Sequence, residues 1–215
     1  MHFLPPASQL AIFMTTAAII LVIPGPAVLY IIARSVEHGR PAGMASALGI
    51  TTGTLVHVGA AALGLSALMV SSATAYAVVK YAGALYLFYL GIRKFRERPE
   101  AESGMSVVKP ASFRRVFAQG VLVNVLNPKA ALFFFAFLPQ FVNPARGHVT
   151  MQFVGLGMIF AAMGLTSDSM WALTAGSAGG WLRRHRGFAR RERYVTGTVY
   201  MGLGLATAVT GARHK

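Results

Sequence analysis

Two apolar runs, Leu10 to Ala33 and Phe117 to Leu138, are each long enough to cross a bilayer as a helix, yet each is interrupted near its middle. Pro24-Gly25-Pro26 breaks the first, and Asn127-Pro128-Lys129 breaks the second. Hydrocarbon offers no partner for a freed N–H or C=O. Broken backbone at membrane depth is therefore tolerated only where it is buried in protein or lines a cavity. Paired interruptions at corresponding places in the two halves of a chain are the strongest sequence pointer to the binding site of a transporter.

Composition supports a membrane setting for these breaks. The 215 residues are 55% hydrophobic and 12% charged, whereas about a quarter are charged in an ordinary soluble domain. Six stretches have the length and apolarity of spans: Leu10–Ala33, Gly43–Val70, Ala75–Ile92, Phe117–Leu138, Met151–Ala175 and Tyr194–Thr210. The expected fold is an all-α integral membrane protein occupying residues 1–215 as a single domain. The N-terminal segment Met1–Ser8 has no Lys or Arg, so it lacks the basic start of a cleavable signal, and the first span is expected to persist.

The spans divide into a first repeat over residues 8–95, a cytoplasmic link at 96–115 and a second repeat over 116–212. With three spans per half, any likeness between the halves must be inverted. Pro24-Gly-Pro-Ala-Val-Leu-Tyr-Ile-Ile-Ala33 overlays Asn127-Pro-Lys-Ala-Ala-Leu-Phe-Phe-Phe-Ala136 without a gap, matching Ala27 to Ala130, Leu29 to Leu132 and Ala33 to Ala136. The expectation is two inverted three-helix repeats with helices one and four broken. Gly49 and Gly53 form a GxxxG pair that lets helix backbones approach closely, first of all within one bundle. A homo-oligomeric face is the second use of such a pair.

A net charge of +14 would suggest nucleic acid in a soluble chain. Its placement argues otherwise. Arg34 and Arg40, then Arg93, Lys94, Arg96, Arg98, Lys109, Arg114 and Arg115, then Arg183, Arg184, Arg186, Arg190, Arg191 and Arg193 all fall on one side of the expected topology. Lys80, Arg146, Arg213 and Lys215 fall on the other. The positive-inside rule puts both termini outside. The basic clusters then meet anionic lipid on the cytoplasmic side of a bacterial inner membrane, with no nucleic-acid partner. The chain has no cysteine, which excludes thiolate metal sites and thiol relays, and no cofactor is expected.

Proline lacks an N–H, so Pro24 and Pro26 should free the carbonyls of Ile20 and Val22. Gly25 precedes a proline and is biased away from helix, while Pro26 suits the first turn of a new half-helix. Carbonyl acceptors beside a positive helix N-terminus suit the two ends of a zwitterion. Asn127-Pro128 reads as an N-cap followed by a first helical residue, with Asn124 one turn earlier on the same face. Lys129 puts a cation near mid-membrane at the dipole end that disfavours it, so an anionic partner is expected: a substrate carboxylate or a protein acid. Asp168 is the one acid inside a span. Its two readings are a structural ion pair with Lys129, or proton coupling and contact with a substrate ammonium. His57 is either a helix–helix hydrogen bonder or a proton relay. Trp171, on the face of Asp168, either lines the cavity or packs.

These residues, in this order, resemble the lysine exporter / homoserine-threonine resistance family of bacterial amino-acid exporters. The likeness runs from Pro24-Gly-Pro26 through the glycine ladder Gly43, Gly49, Gly53 to His57. It continues through Gly83-Ala-Leu-Tyr-Leu-Phe-Tyr-Leu-Gly91, Asn127-Pro-Lys129, Asp168-x2-Trp171 and the glycine-spaced last span. The resemblance implies six spans, export of amino acids or related small metabolites, and drive by the proton gradient. Some members carry an acid in span two, where this chain has Thr52, Thr54 and His57, which shifts the expectation toward neutral amino acids. The substrate-binding set expected is Pro24, Gly25, Pro26, Asn124, Asn127, Pro128, Lys129 and Trp171, with Asp168 and His57 in proton coupling. A passive small-solute channel and a non-transporting membrane scaffold are the alternatives. An intramembrane serine protease fits poorly, because Gly176-Ser-Ala-Gly179 has its glycines at the wrong offsets for a nucleophile turn.

Overall fold

The computed structural model describes residues 4–65 and 112–182, with isolated helical positions at 67, 74, 78, 81, 85, 89, 92 and 201. Most of the expected third span and all but one residue of the sixth, most of the link at 96–115 and the basic run at 183–193 lie outside the described residues. So do both glycines of the motif at 83–91 and the glycines of the last span. The described residues are almost entirely helical, with no strand among them.

Helix α1 (Ala7–Val22) ends where Pro24 cannot donate; its last backbone bond is Ile23 N–H to Ile19 O at 3.3 Å. Helix α2 (Pro26–His38) restarts at once with proline in its first turn, and the Gly25 carbonyl accepts from Leu29 N at 2.9 Å. The two meet at a bend of 48°. Gly39, at φ 81°, makes a left-handed turn that a side chain would strain, and helix α3 (Arg40–Ala60) runs back through the bundle. α3 closes in a π-helical turn at Ala61–Leu65, giving 26 helical residues in one span.

The second broken span has the same construction. Helix α4 (Phe113–Val125) stops at Leu126, and helix α5 (Pro128–Leu132) restarts behind Asn127 at a bend of 47°. α5 continues through a π-helical turn at Phe133–Phe137 into a 3₁₀ turn at Leu138–Phe141. A short loop, tied by the Gln152 amide to the Asn143 and Gly147 carbonyls at 2.9 and 2.8 Å, leads to the long helix α6 (Val149–Leu182). The described spans therefore start and stop close to the expected ones, and both breaks fall at the expected residues.

Contacts at the two ends of the bundle show the relative direction of the broken spans. Arg146 Nη1 donates to Leu4 O at 3.3 Å, so the start of α1 and the α5–α6 loop share one face. Arg40 Nη2 donates to Ser177 Oγ at 2.6 Å, so the α2–α3 turn and the late part of α6 share the other. The α1–α2 span thus crosses from the first face to the second, and the α4–α5 span crosses back, as an inverted pair requires.

Packing follows glycine and aromatic size. A methyl group placed on Gly53 would lie 2.8 Å from Asn124 Cβ and 2.9 Å from Val121 O, and one on Gly120 would lie 2.9 Å from Ser46 O. α3 and α4 therefore touch backbone to backbone, and the Gly49–Gly53 pair serves contact within the chain. Toward the face bearing Leu4 and Arg146, Phe13, Phe133, Phe134, Phe137, Phe153 and Phe160 build a buried aromatic cluster, in which Phe133 and Phe160 stack at 4.0 Å. Ile12, Val22, Leu63, Leu122, Leu126 and Met170 stay exposed, as lipid-facing side chains do. In the run at 133–137 four of the five residues are buried, because its π-helical turn packs against α1, α3 and α6.

Candidate functional site

Both breaks open onto one cavity of about 50 Å³. From the first broken span Ile20, Leu21, Gly25, Ala27 and Val28 line it; from the second, Asn124, Asn127, Lys129, Ala130 and Phe133. Ile50, Thr51 and Thr54 of α3 and Phe160, Gly164 and Asp168 of α6 complete the wall. The last three recur every four residues, so they form one stripe along a helix.

The two half-helices that begin at the breaks are not equivalent. At α5 the Asn127 side chain accepts from Lys129 N at 3.0 Å, capping one orphan amide as the sequence predicted. At α2 the N-cap is Gly25, which has no side chain to offer, and Ala27 and Val28 of the uncapped first turn line the cavity. The positive end left without a side-chain cap is therefore that of α2.

Lys129 resolves its unfavourable position by reaching across the cavity. Its Nζ donates to the Ile23 carbonyl at 2.6 Å. Ile23 is the C-cap of α1, so the ammonium sits at the negative end of another helix dipole, away from the positive end of its own. Its stem crosses Gly25, where an added Cβ would lie 3.2 Å from Lys129 Cδ. Gly25 itself has φ −129° and ψ −168°, an extended conformation open to any residue. Glycine is needed there for the space, not for the angle.

Asp168 is 6% exposed and shares the cavity with Lys129, within electrostatic range of it. No ion pair joins them among the described residues. The structural ion pair expected as one role for both residues is thus replaced, in this conformation, by the bond from Lys129 to Ile23 O. The neighbouring Ser167 hydroxyl donates to Leu21 O at 3.4 Å, so α6 also serves the frayed end of α1. The freed carbonyls expected at Ile20 and Val22 are flanked by the two whose side-chain donors the structure shows, Leu21 and Ile23.

Asn124 is held by α3. Its Nδ2 donates to Ile50 O and to Thr54 Oγ1, both at 2.8 Å, and its Oδ1 accepts from Asn127 Nδ2 at 3.3 Å. Pro128 cannot donate to the Asn124 carbonyl, and His57 Nε2 lies 3.0 Å from that oxygen. A carbonyl only accepts, so Nε2 carries a hydrogen. The His57 ring is buried, stacks on Phe134 at 5.8 Å and is absent from the cavity wall. Of its two expected roles, the geometry matches the helix–helix hydrogen bonder. Trp171 is also off the wall: it packs between clusters built on Ile31, Ala47 and Ala172 and on Val28, Ile32 and Ala175.

A model of the LysE type translocator family matches residues 18–211. The chain belongs to the LysE type translocator family. It is 31% identical over 198 residues to an uncharacterized membrane protein of Pseudomonas aeruginosa, covering 88% of this chain and 90% of that one. It is 27% identical over 202 residues to a homoserine/homoserine lactone efflux protein of Salmonella typhimurium, covering 94% of this chain and 96% of that one. An uncharacterized membrane protein of Bacillus subtilis is 27% identical over 210 residues, 94% of this chain and 99% of its own length. No solved structure matches.

This LysE-type chain is a membrane-embedded translocator, not an enzyme. Of the residues singled out from sequence, Gly25, Asn124, Asn127, Lys129 and Asp168 meet at its cavity; Pro24, Pro26 and Pro128 act by shaping the breaks. Sequence reasoning missed the Ile23 carbonyl, Thr51, Gly164 and Phe160. The four-residue spacing of Phe160, Gly164 and Asp168 was a legible signal for two of them. The Ile23 carbonyl had none, because its use depends on a side chain 106 positions away.

Proposed function

We propose that this translocator exports small neutral amino acids from the cytoplasm by exchange with protons. The observation that carries the proposal is the convergence of an uncapped helix N-terminus, a buried lysine and a buried aspartate on one cavity at the paired breaks. The amides at the start of α2 and the Lys129 ammonium suit a substrate carboxylate. Asp168 and the carbonyls at the end of α1 suit its ammonium. Thr51 and Thr54 border the space left for a side chain, and the absence of an acid from α3 favours neutral over basic substrates. The relatives named for homoserine and homoserine lactone efflux support a small polar substrate.

Asp168 takes a proton from outside as substrate leaves and returns it to the cytoplasm as the next substrate binds, so one proton enters for each amino acid exported. In this reading the protein sits in a bacterial inner membrane with both termini outside and its basic loops on the anionic cytoplasmic leaflet. The test is uptake of labelled threonine, homoserine, leucine and lysine into inverted vesicles, with and without a pH gradient. Accumulation of the neutral substrates should require the gradient. Asp168→Asn should abolish accumulation yet retain exchange of labelled for unlabelled substrate. Gradient-independent equilibration without accumulation would indicate a passive channel, and accumulation by Asp168→Asn would move the proton to another group.

A further inference from the structure

We propose that the Ile23 carbonyl is an alkylammonium subsite, and that Lys129 fills it in the empty protein as a tethered substitute for the ammonium of the substrate. The proposal deepens the exporter reading by assigning an atom to one end of the substrate. Three observations carry it. Lys129 Nζ, a primary ammonium on an alkyl stem, already donates to this oxygen at 2.6 Å. The oxygen belongs to the C-cap of α1, at the negative end of that helix and beside a proline break, where the regular backbone ladder stops. Gly25 leaves the track along which the stem lies, since a Cβ there would press on Lys129 Cδ.

An α-amino acid brings the same donor together with a carboxylate. Its carboxylate draws Lys129 off Ile23, and its ammonium takes the vacated carbonyl. When the substrate departs, Lys129 returns. The carbonyl is then paired with a cation in both states, which removes the cost of leaving an acceptor bare in an apolar interior during the return of the empty carrier. A solute with a carboxylate but no ammonium would pull Lys129 away and leave the oxygen unpaired, so the handover also selects against simple carboxylic and hydroxy acids.

The test uses the full-length protein purified in detergent and needs neither a transported substrate nor a gradient. In Lys129→Ala the atoms removed beyond Cβ correspond to n-propylammonium. That ion, against sodium at equal ionic strength, should raise the melting temperature of the variant saturably, by about 2–4 °C for each kcal/mol of binding free energy it contributes. It should leave the wild type unchanged, and tetramethylammonium, which has no N–H, should do nothing. Should Lys129→Ala fail to fold, Lys129→Met retains the stem and lacks only the donor, and ammonium ion takes the place of the probe. No difference between the N–H-bearing probe (n-propylammonium for Lys129→Ala, ammonium for Lys129→Met) and tetramethylammonium overturns the subsite, as does an equal response in the wild type. Such a failure leaves gradient-driven accumulation in vesicles untouched, whereas failure of that accumulation leaves the ion-binding result standing, so the two are separable.

Discussion

Replacing Gly53 by alanine should destabilise the protein, while the same change six residues on, at Gly59, should not. A Cβ at Gly53 would lie 2.8 Å from Asn124 Cβ, 2.9 Å from Val121 O and 3.3 Å from Val125 N. Two of these three are backbone atoms of α4, so the helices must separate by several tenths of an ångström. That separation stretches the bonds from Asn124 Nδ2 to Ile50 O and Thr54 Oγ1, now both 2.8 Å. Overpacking of this kind costs about 1–3 kcal/mol. Interhelical hydrogen bonds in membranes average about 0.6 kcal/mol, so weakening the pair adds about 1. The helix propensity of alanine over glycine returns about 1 kcal/mol, leaving a net loss of about 1–3. For a chain of this size that is a fall in melting temperature of roughly 2–12 °C. Among the described residues nothing lies within 4 Å of a Cβ added at Gly59, so Gly59→Ala keeps only the propensity gain. The measurement is thermal unfolding of both variants in one detergent, followed by intrinsic fluorescence. Equal stability of the two variants would refute the close α3–α4 contact on which the placement of Asn124 depends.

His57→Phe should keep the stacking on Phe134 and lose the bond to the Asn124 carbonyl, costing about 1 kcal/mol in thermal unfolding while gradient-driven accumulation persists; loss of accumulation with exchange intact would instead make His57 the proton carrier. Gly25→Ala should fold normally, since the backbone there is extended, but displace the Lys129 head from Ile23 O. Loss of that charge-assisted bond removes about 1.5–3 kcal/mol from the empty protein, a fall in melting temperature of roughly 3–12 °C, and an unchanged melting temperature would show that the stem does not need the space.

The broken spans were legible in the sequence because proline acts locally. A missing N–H and a fixed φ end a helix whatever surrounds it, so Pro24, Pro26 and Pro128 specified where α1 and α4 stop and where α2 and α5 begin. The Asn127 cap and the backbone contact at Gly53 were legible for the same reason, one resting on a spacing of two residues and the other on the absence of a side chain. The partners of the charged and polar groups were not. Whether Lys129 meets Asp168, a substrate or a carbonyl depends on which atoms the bundle brings within about 3 Å, and that distance is set by helix crossings involving residues more than 100 positions apart. The same holds for His57, whose ring could face a cavity or a freed carbonyl until α3 is laid against α4, and for Trp171, which shares a helix face with Asp168 but is taken up by α2. Local covalent geometry determined the breaks; only the tertiary structure decided that both breaks border one cavity and that a lysine from one closes the end of the other.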